Sequence, residues 1–174
     1  GPKIDIQMKD ARGKENTAFT VQYDFCMPDR FNLTYIDKDG SEKRPVVVHR
    51  SSIGAIERVI AFLIEHYAGA FPTWLAPVQV VVLPVGGGHH EYGKSVVESL
   101  LQAGLRAELD ASDESLGKRI RKAKMEKVPY LMVVGDKEIE SQTVSLEKRG
   151  DGPLGSQSVA EAIALITTEV TEKK

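Results

Sequence analysis

The chain is 174 residues long, with 41% hydrophobic and 28% charged residues and a formal net charge of −2. That length suits one domain or two small ones around a real core, and the balance is ordinary for a globular protein. The charge excludes a wholesale nucleic-acid coat protein but allows a local basic patch, and the single cysteine, Cys26, excludes a disulfide framework or a cysteine-cluster zinc site.

Lone Cys26 fits a reducing compartment. Apolar runs such as VIAFLI are too short to span a membrane, and no charged-then-apolar signal segment opens the chain. A cytoplasmic protein without a membrane partner is expected. The start lacks Met, so Gly1-Pro2 reads as a cleavage scar or as a cut from something longer.

The first elements read as antiparallel β. KIDIQMK and AFTVQYDF alternate, and FNLTYID, a Lys-Asp-Gly turn and SEKRPVVVH form a hairpin. A helix is predicted from about Ser51 to Ala68, with Ile53, Ile56, Ile60, Leu63 and Tyr67 at helical spacing. Ser51 or Ser52 can cap it, Gly69 stops it, and AFPTWLAP reads as a linker. Beyond Pro77 the grammar changes. VQVVVLPV, LRAELD, PYLMVVG and TVSLEKR read as strands, and HEYGKSVVESLLQAG, ESLGKRIRKAKMEK and SVAEAIALITTEV as helices. The order βαβαββα predicts a mixed sheet flanked by helices. Two domains are expected, residues 1–70 and 71–174, with an α/β (α+β overall) fold: an antiparallel sheet, then a mixed-sheet α/β domain.

The junction VVVHRSSIGAIER loads charge between two apolar segments. The helix is apolar nearly all round between Val59 and Ile64, which predicts burial, and Arg58 then requires an anion. That anion is an internal carboxylate, Glu57 or Asp24, or a phosphate, which a guanidinium reads well. His49, at the strand end, is a satisfied imidazole or a metal ligand.

Several stretches together resemble one family. GPKIDI, VQYDF, PVVVHR with G-x-x-E-R, EHYAGAFPTWLAPVQV, KVPYLMVVGDKE and LGS closely resemble the threonyl-tRNA synthetases, class II aminoacyl-tRNA synthetases, along nearly the whole chain. The resemblance implies the end of a catalytic domain over 1–70 and an anticodon-binding domain over 71–174. It implies that Arg58 binds ATP and its Mg²⁺-bound phosphates, that Gln22 lies against threonine, and that Lys3 lies near the active-site floor. It also implies that His49 is one of three protein ligands of a Zn²⁺ that chelates threonine. The other ligands and the first two class II motifs lie upstream of Gly1 in the family, and Cys26 does not replace the missing cysteine. The chain alone is therefore expected to bind no cofactor and to be inactive. The complete enzyme is expected to be a homodimer acting on threonine, ATP and tRNA(Thr).

Two segments depart from the family pattern. Asn16 and Thr17 stand where an aromatic and a Gln are usual, and HRSSIGA differs from the usual continuation. In the second domain Lys118, Arg119, Arg121, Lys122, Lys124 and Lys127 cluster, with Glu126 opposing. Such a run is a solvated face or a phosphate-binding one. The resemblance implies that Glu138 reads a base edge, with Lys127 as a nearby cation, and places Asp113 and Glu147 at anticodon-contacting positions. Glu147 stands where Arg is common, so it is expected to repel phosphate.

GHHEYGKS satisfies the P-loop pattern letter for letter, between a strand and a helix. His-His-Glu-Tyr is a bulky, partly acidic filling for a cradle of backbone amides, and Tyr92, Val96 and Leu100 imply that the helix already runs before Lys94. A nucleotide hydrolase is thus disfavoured. The remaining alternative to a ligase fragment is a non-catalytic RNA-binding paralogue.

Overall fold

A computed structural model describes residues 1–174. They form two compact units, Gly1–His66 and Tyr67–Lys174.

In the first unit, β1 (Lys3–Lys9) and β2 (Glu15–Asp24) make an antiparallel hairpin, bulged at Ile6/Gln7. A short helix, α1 (Cys26–Arg30), follows; CMPDR is too short to show helical periodicity and is not expected as one. The predicted second hairpin shrinks to β3 (Tyr35–Ile36) and β4 (Glu42–Lys43) around the Lys-Asp-Gly turn. Arg44 interrupts it by turning its guanidinium back onto Asp29, Asn32 and the Leu33 carbonyl. Next, β5 (Val47–Ser51) pairs antiparallel with β2, giving the sheet order β1-β2-β5.

Helix α2 (Ile56–Tyr67) starts later than predicted. Ser51 remains in β5, and its hydroxyl accepts from the Gly54 amide in the turn before the helix. That turn needs glycine: Gly54 has φ +70°, and a Cβ there would lie 2.8 Å from the Ala18 carbonyl oxygen. The expected burial of α2 is not found. No residue of it is buried, and Ile56, Ile60 and Ile64 are each about half exposed or more. Only the side carrying Val59 and Phe62 meets the hairpin, because a three-stranded sheet has too little area to wrap a helix that is apolar all round.

The second unit is a five-stranded sheet in the order β10-β9-β8-β6-β7. Its elements are β6 (Val80–Pro84), α3 (His90–Gln102), β7 (Ala107–Leu109), α4 (Leu116–Met125), β8 (Tyr130–Val134), α5 (Asp136–Ser141), β9 (Thr143–Lys148), β10 (Gly152–Ser158) and α6 (Val159–Thr171). Strands β6, β7 and β8 are parallel, β9 runs against them, and β10 runs against β9 and so in the direction of the first three. The crossover through α3 leads from β6 to β7 on one side, and the crossover through α4 leads back past β6 to β8 on the other, so the strand order reverses between the carboxyl ends of β6 and β8, a topological switch point. The sequence reading missed α5, which is a six-residue polar helix, and β10, whose GPLGSQS is rich in glycine and serine.

Period-two alternation along β6 divides the core. Val80 and Val82 pack with Leu100, Met132, Leu146 and Ile166, while Val81 and Leu83 pack with Leu131 and Ala123 of α4. The second face has the single helix α4, which contacts β6. Beyond it, Glu147 of β9 opposes Leu131 on one side and Pro153 on the other, and this part of the sheet is open.

The segment read as a linker is instead bound to the second unit. Lys127 Nζ donates to the Ala68 carbonyl and Arg149 to those of Ala70 and Phe71. Arg106 donates to the carbonyls of Trp74 and Ala76. The Thr73 hydroxyl donates to Glu169. The two prolines keep these carbonyls out of any helix, and three cations take them up.

Candidate functional site

The sheet of the first unit is two-faced. Lys3 opposes Gln22 and Gln22 opposes His49, so the three lie in one row across β1, β2 and β5. Directly opposed residues share a face with Cβ atoms about 5 Å apart. The next row on that face is Asp5, Thr20 and Ser51, and Asp24 lies two residues beyond Gln22. The other face carries Ile4, Ile6, Phe19, Tyr23 and Val48, all of them well exposed.

Two carboxylates on the polar face orient the predicted residues. Asp24 Oδ1 accepts from the amides of Cys26 and Met27, at 2.9 and 3.0 Å, and Oδ2 pairs with His49 Nε2 at 2.8 Å. The Met27 amide and the His49 ring hold the Asp24 carboxyl below its ordinary pKa. Asp5 Oδ2 lies 3.0 Å from Lys3 Nζ, and that contact, with the Thr20 hydroxyl, lowers the Asp5 pKa too. Sequence reasoning overlooked Asp5 and considered Asp24 only as a partner for Arg58. The available signal was their i+2 spacing from Lys3 and Gln22, which puts them on the same strand face.

Neither predicted carboxylate partner of Arg58 is found. Asp24 is taken by His49, and Arg58 Nη1 donates to the Thr17 carbonyl at 3.1 Å. Arg58 is exposed and edges a cavity of about 190 Å³ lined also by Met8, Asn16, Ala18, Val59 and Phe62. A carbonyl uses one of five guanidinium donors, which leaves the others for an anion. At the departures from the family pattern, Thr17 exchanges hydrogen bonds with Gln7, and Asn16 donates to the Lys14 carbonyl.

For a metal, His49 offers its second ring nitrogen, the first being held by a carboxylate as in many ligating histidines. No group of three histidine, cysteine or carboxylate side chains is gathered anywhere in the chain. One imidazole is not a zinc site.

In the second unit, Asp113, Lys118 and Glu138 lie toward the carboxyl ends of the parallel strands, after β7, in the first turn of α4 and after β8 respectively. Glu138 Oε2 accepts from the Gly135 amide at 2.9 Å, the one half of a capping box that a glycine N-cap allows, and Oε1 is left over. A Cβ on Gly135 would lie 3.1 Å from Val85 and 3.3 Å from that oxygen.

Lys127 is not near Glu138. It precedes β8, in a left-handed conformation with φ 58°, whereas Glu138 follows the strand. Four residue steps of β8 alone separate them by about 13 Å. The reason is topological: residues before and after a strand cannot meet.

The basic cluster is also divided. Arg119 is buried and donates to the carbonyls of Pro84, Asp110 and Glu114 at 2.7, 2.9 and 3.0 Å. Lys118 pairs with Glu114 and Lys124 with Glu147, so Glu126 is not the only opposing acid. Arg121 and Lys122 complete the charged side of α4.

The P-loop reading fails on geometry. α3 already runs from His90, and Gly93 sits inside it against Leu109 and Pro84. Lys94 pairs with Glu91 one turn back on the same helix.

No helix is long and apolar enough to cross a membrane. Residues 79–169 match the family described as anticodon binding domain, and residues 1–67 match the tRNA synthetase class II core domain (G, H, P, S and T). The chain is 51% identical over 172 residues to a threonine–tRNA ligase of Natranaerobius thermophilus, covering 99% of the chain and 27% of that protein. The enzyme of the same name from Carboxydothermus hydrogenoformans is 51% identical over 174 residues, again covering 27% of its length. The chain thus spans about a quarter of the length of these curated relatives. The RNA binding domain of threonyl-tRNA synthetase from Cryptosporidium parvum superposes with a TM-score of 0.84 at 35% identity, over 97% of this chain and 43% of that one. A prolyl-tRNA synthetase from the same organism, at 21% identity and a TM-score of 0.75 over 98% of this chain and 37% of that one, shares the fold.

Proposed function

The chain belongs to the threonyl-tRNA synthetase family, and from that premise we propose that it is part of an ATP-dependent threonine–tRNA ligase, carrying the close of the class II core and the reader of the tRNA(Thr) anticodon. In this reading residues 1–70 belong to the catalytic domain and 71–174 to the anticodon-binding domain. The observation that carries it is the single row of Lys3, Gln22 and His49 across one polar sheet face. The opposite, apolar face and the outward isoleucines of α2 suit burial against the rest of a class II core.

In such an enzyme Arg58 holds the anionic end of ATP, whose Mg²⁺ neutralises the phosphates. Gln22 offers an amide to the amino acid. Lys3, held by Asp5, presents a positive charge to a developing anion. His49, oriented by Asp24, contributes one metal ligand beside donors from other parts of the enzyme. A bound zinc supplies a Lewis acid that recognises an amino group and a hydroxyl together. The complete enzyme works in the cytoplasm as a homodimer.

In the second unit, Glu138 accepts hydrogen bonds from the guanine of the anticodon, and Asp113 lies at the same end of the sheet. Lys127 and Glu147 contact a different nucleotide from the one Glu138 reads. Lys118 and Arg121 bind phosphates.

Threonine-dependent pyrophosphate exchange tests the catalytic part. It should be absent from the 174-residue chain, present in the complete ligase, and lost there with bound metal in His49→Ala. Exchange that survives His49→Ala with metal retained would overturn the assignment. A non-catalytic RNA-binding relative is the second reading, favoured by Asn16 and Thr17, whose side chains are engaged within their own hairpin. It predicts no exchange in the complete protein.

A further inference from the structure

Beside the C-terminal end of α4 lies a recess of about 350 Å³, lined by Lys124, Val128, Leu131, Glu147 and the turn from Gly150 to Gly152. Val128 and Leu131 make its floor apolar. Gly150 and Gly152 both have positive φ, and open space lies where their Cβ atoms would be, so the rim is bare backbone.

Three cations line this recess, and two are committed elsewhere. Lys148 Nζ is held by Glu169 at 2.9 Å and Asp151 at 3.4 Å. The Arg149 guanidinium is taken by the carbonyls of Lys127, Ala70 and Phe71. Lys124 remains. Its Nζ lies 2.5 Å from Glu147 Oε1, with the two side chains 53% and 28% exposed. An ion pair this open to water is weakly held, and an ammonium has two further donors.

We propose that this recess seats one nucleotide of single-stranded RNA, with Lys124 as its phosphate ligand and Glu147 as an internal mask over Lys124. An apolar floor accepts the face of a base, a bare glycine rim lets the sugar-phosphate approach, and one displaceable cation meets the phosphate. Glu147 lowers affinity by competing for Lys124, and its effect depends on Lys124 being present. This rests on the RNA-binding reading above, and it adds Lys124 to the residues that bind.

The test uses the 174-residue chain and a fluorescein-labelled anticodon stem–loop carrying G and U at the second and third anticodon positions. Binding is read by anisotropy at several salt concentrations. Glu147→Gln should tighten binding about 2–5-fold, the change an exposed ion pair corresponds to. Lys124→Gln should weaken it and reduce the slope of log K against log salt by about 0.7, one phosphate contact on a single strand. In the Lys124→Gln background, Glu147→Gln should give no gain. The proposal is overturned if Lys124→Gln leaves affinity and slope unchanged, or if Glu147→Gln gives the same gain in both backgrounds, since Glu147 would then act by repulsion alone. If the unmodified chain fails to bind, or binds a swapped anticodon equally well, the RNA-reading role itself falls, and this inference with it.

Discussion

Arg119→Met should unfold the second unit far more readily while leaving the exposed charge of α4 intact. The guanidinium is 3% exposed and donates to three carbonyls on two stretches of chain: Pro84 at the end of β6, and Asp110 and Glu114 at the two ends of the β7–α4 connection. Methionine fills similar volume without a donor. The Pro84 bond is the buried one, and an orphaned buried acceptor costs about 1–3 kcal/mol. The other two bonds are partly open to water and contribute about 1 kcal/mol each. The sum is about 3–5 kcal/mol, equivalent to a Tm lower by about 12 °C or more in a unit of this size. Trp74, the only tryptophan, lies in the strap held by Arg106, so its fluorescence reports unfolding of this unit during urea titration. Arg121→Met is the control, expected within about 0.5 kcal/mol of wild type but weaker on RNA. A loss below about 1 kcal/mol in Arg119→Met, or RNA binding weakened with stability unchanged, would show that Arg119 faces ligand and does not pin the loops.

Glu138→Ala should reduce discrimination between matched and guanine-swapped anticodons by about 1–3 kcal/mol if base readout here resembles that in DNA, as measured by binding both RNAs at two salt concentrations. It should also destabilise the second unit by about 1 kcal/mol in urea, because the same carboxylate caps α5. Gly93→Ala should cost about 1–3 kcal/mol by overpacking, since its Cβ would meet Leu109 at 2.9 Å and Pro84 at 3.0 Å. Lys94→Ala should leave stability unchanged by calorimetry, in keeping with its surface pairing to Glu91, and in the complete ligase it should leave ATP affinity unchanged. Acid should unfold the second unit through Glu169. Desolvation alone would raise its pKa, but hydrogen bonds from Thr73, Tyr130 and Lys148 outweigh it and hold it below the ordinary 4.5. Its contribution is therefore complete above about pH 4.5 and lost as pH falls through the folded pKa, and Glu169→Gln should flatten that part of the pH–stability curve.

Sequence alone determined what depends on neighbours along the chain. Alternation placed β1 and β2, short β-rich runs placed β6, β8 and β9, helical spacing placed α3 and α6, and the bulk of His-His-Glu-Tyr already spoke against a phosphate cradle at Gly88–Ser95. The family motifs are also linear, so the threonyl-tRNA synthetase likeness was open to a reader of the sequence. Tertiary structure decided what depends on residues distant in sequence. Lys3, Gln22 and His49 share a row only because two strand registers align them. Arg119 looks like any other cation in GKRIRKAK, and its burial follows from carbonyls up to 35 positions away. Lys127 and Glu138 fall in one short motif, yet β8 runs between them and holds them apart. Side-chain type and spacing set the local conformation. Which charge is buried, which is paired and which is left for a ligand follows from strand order and register.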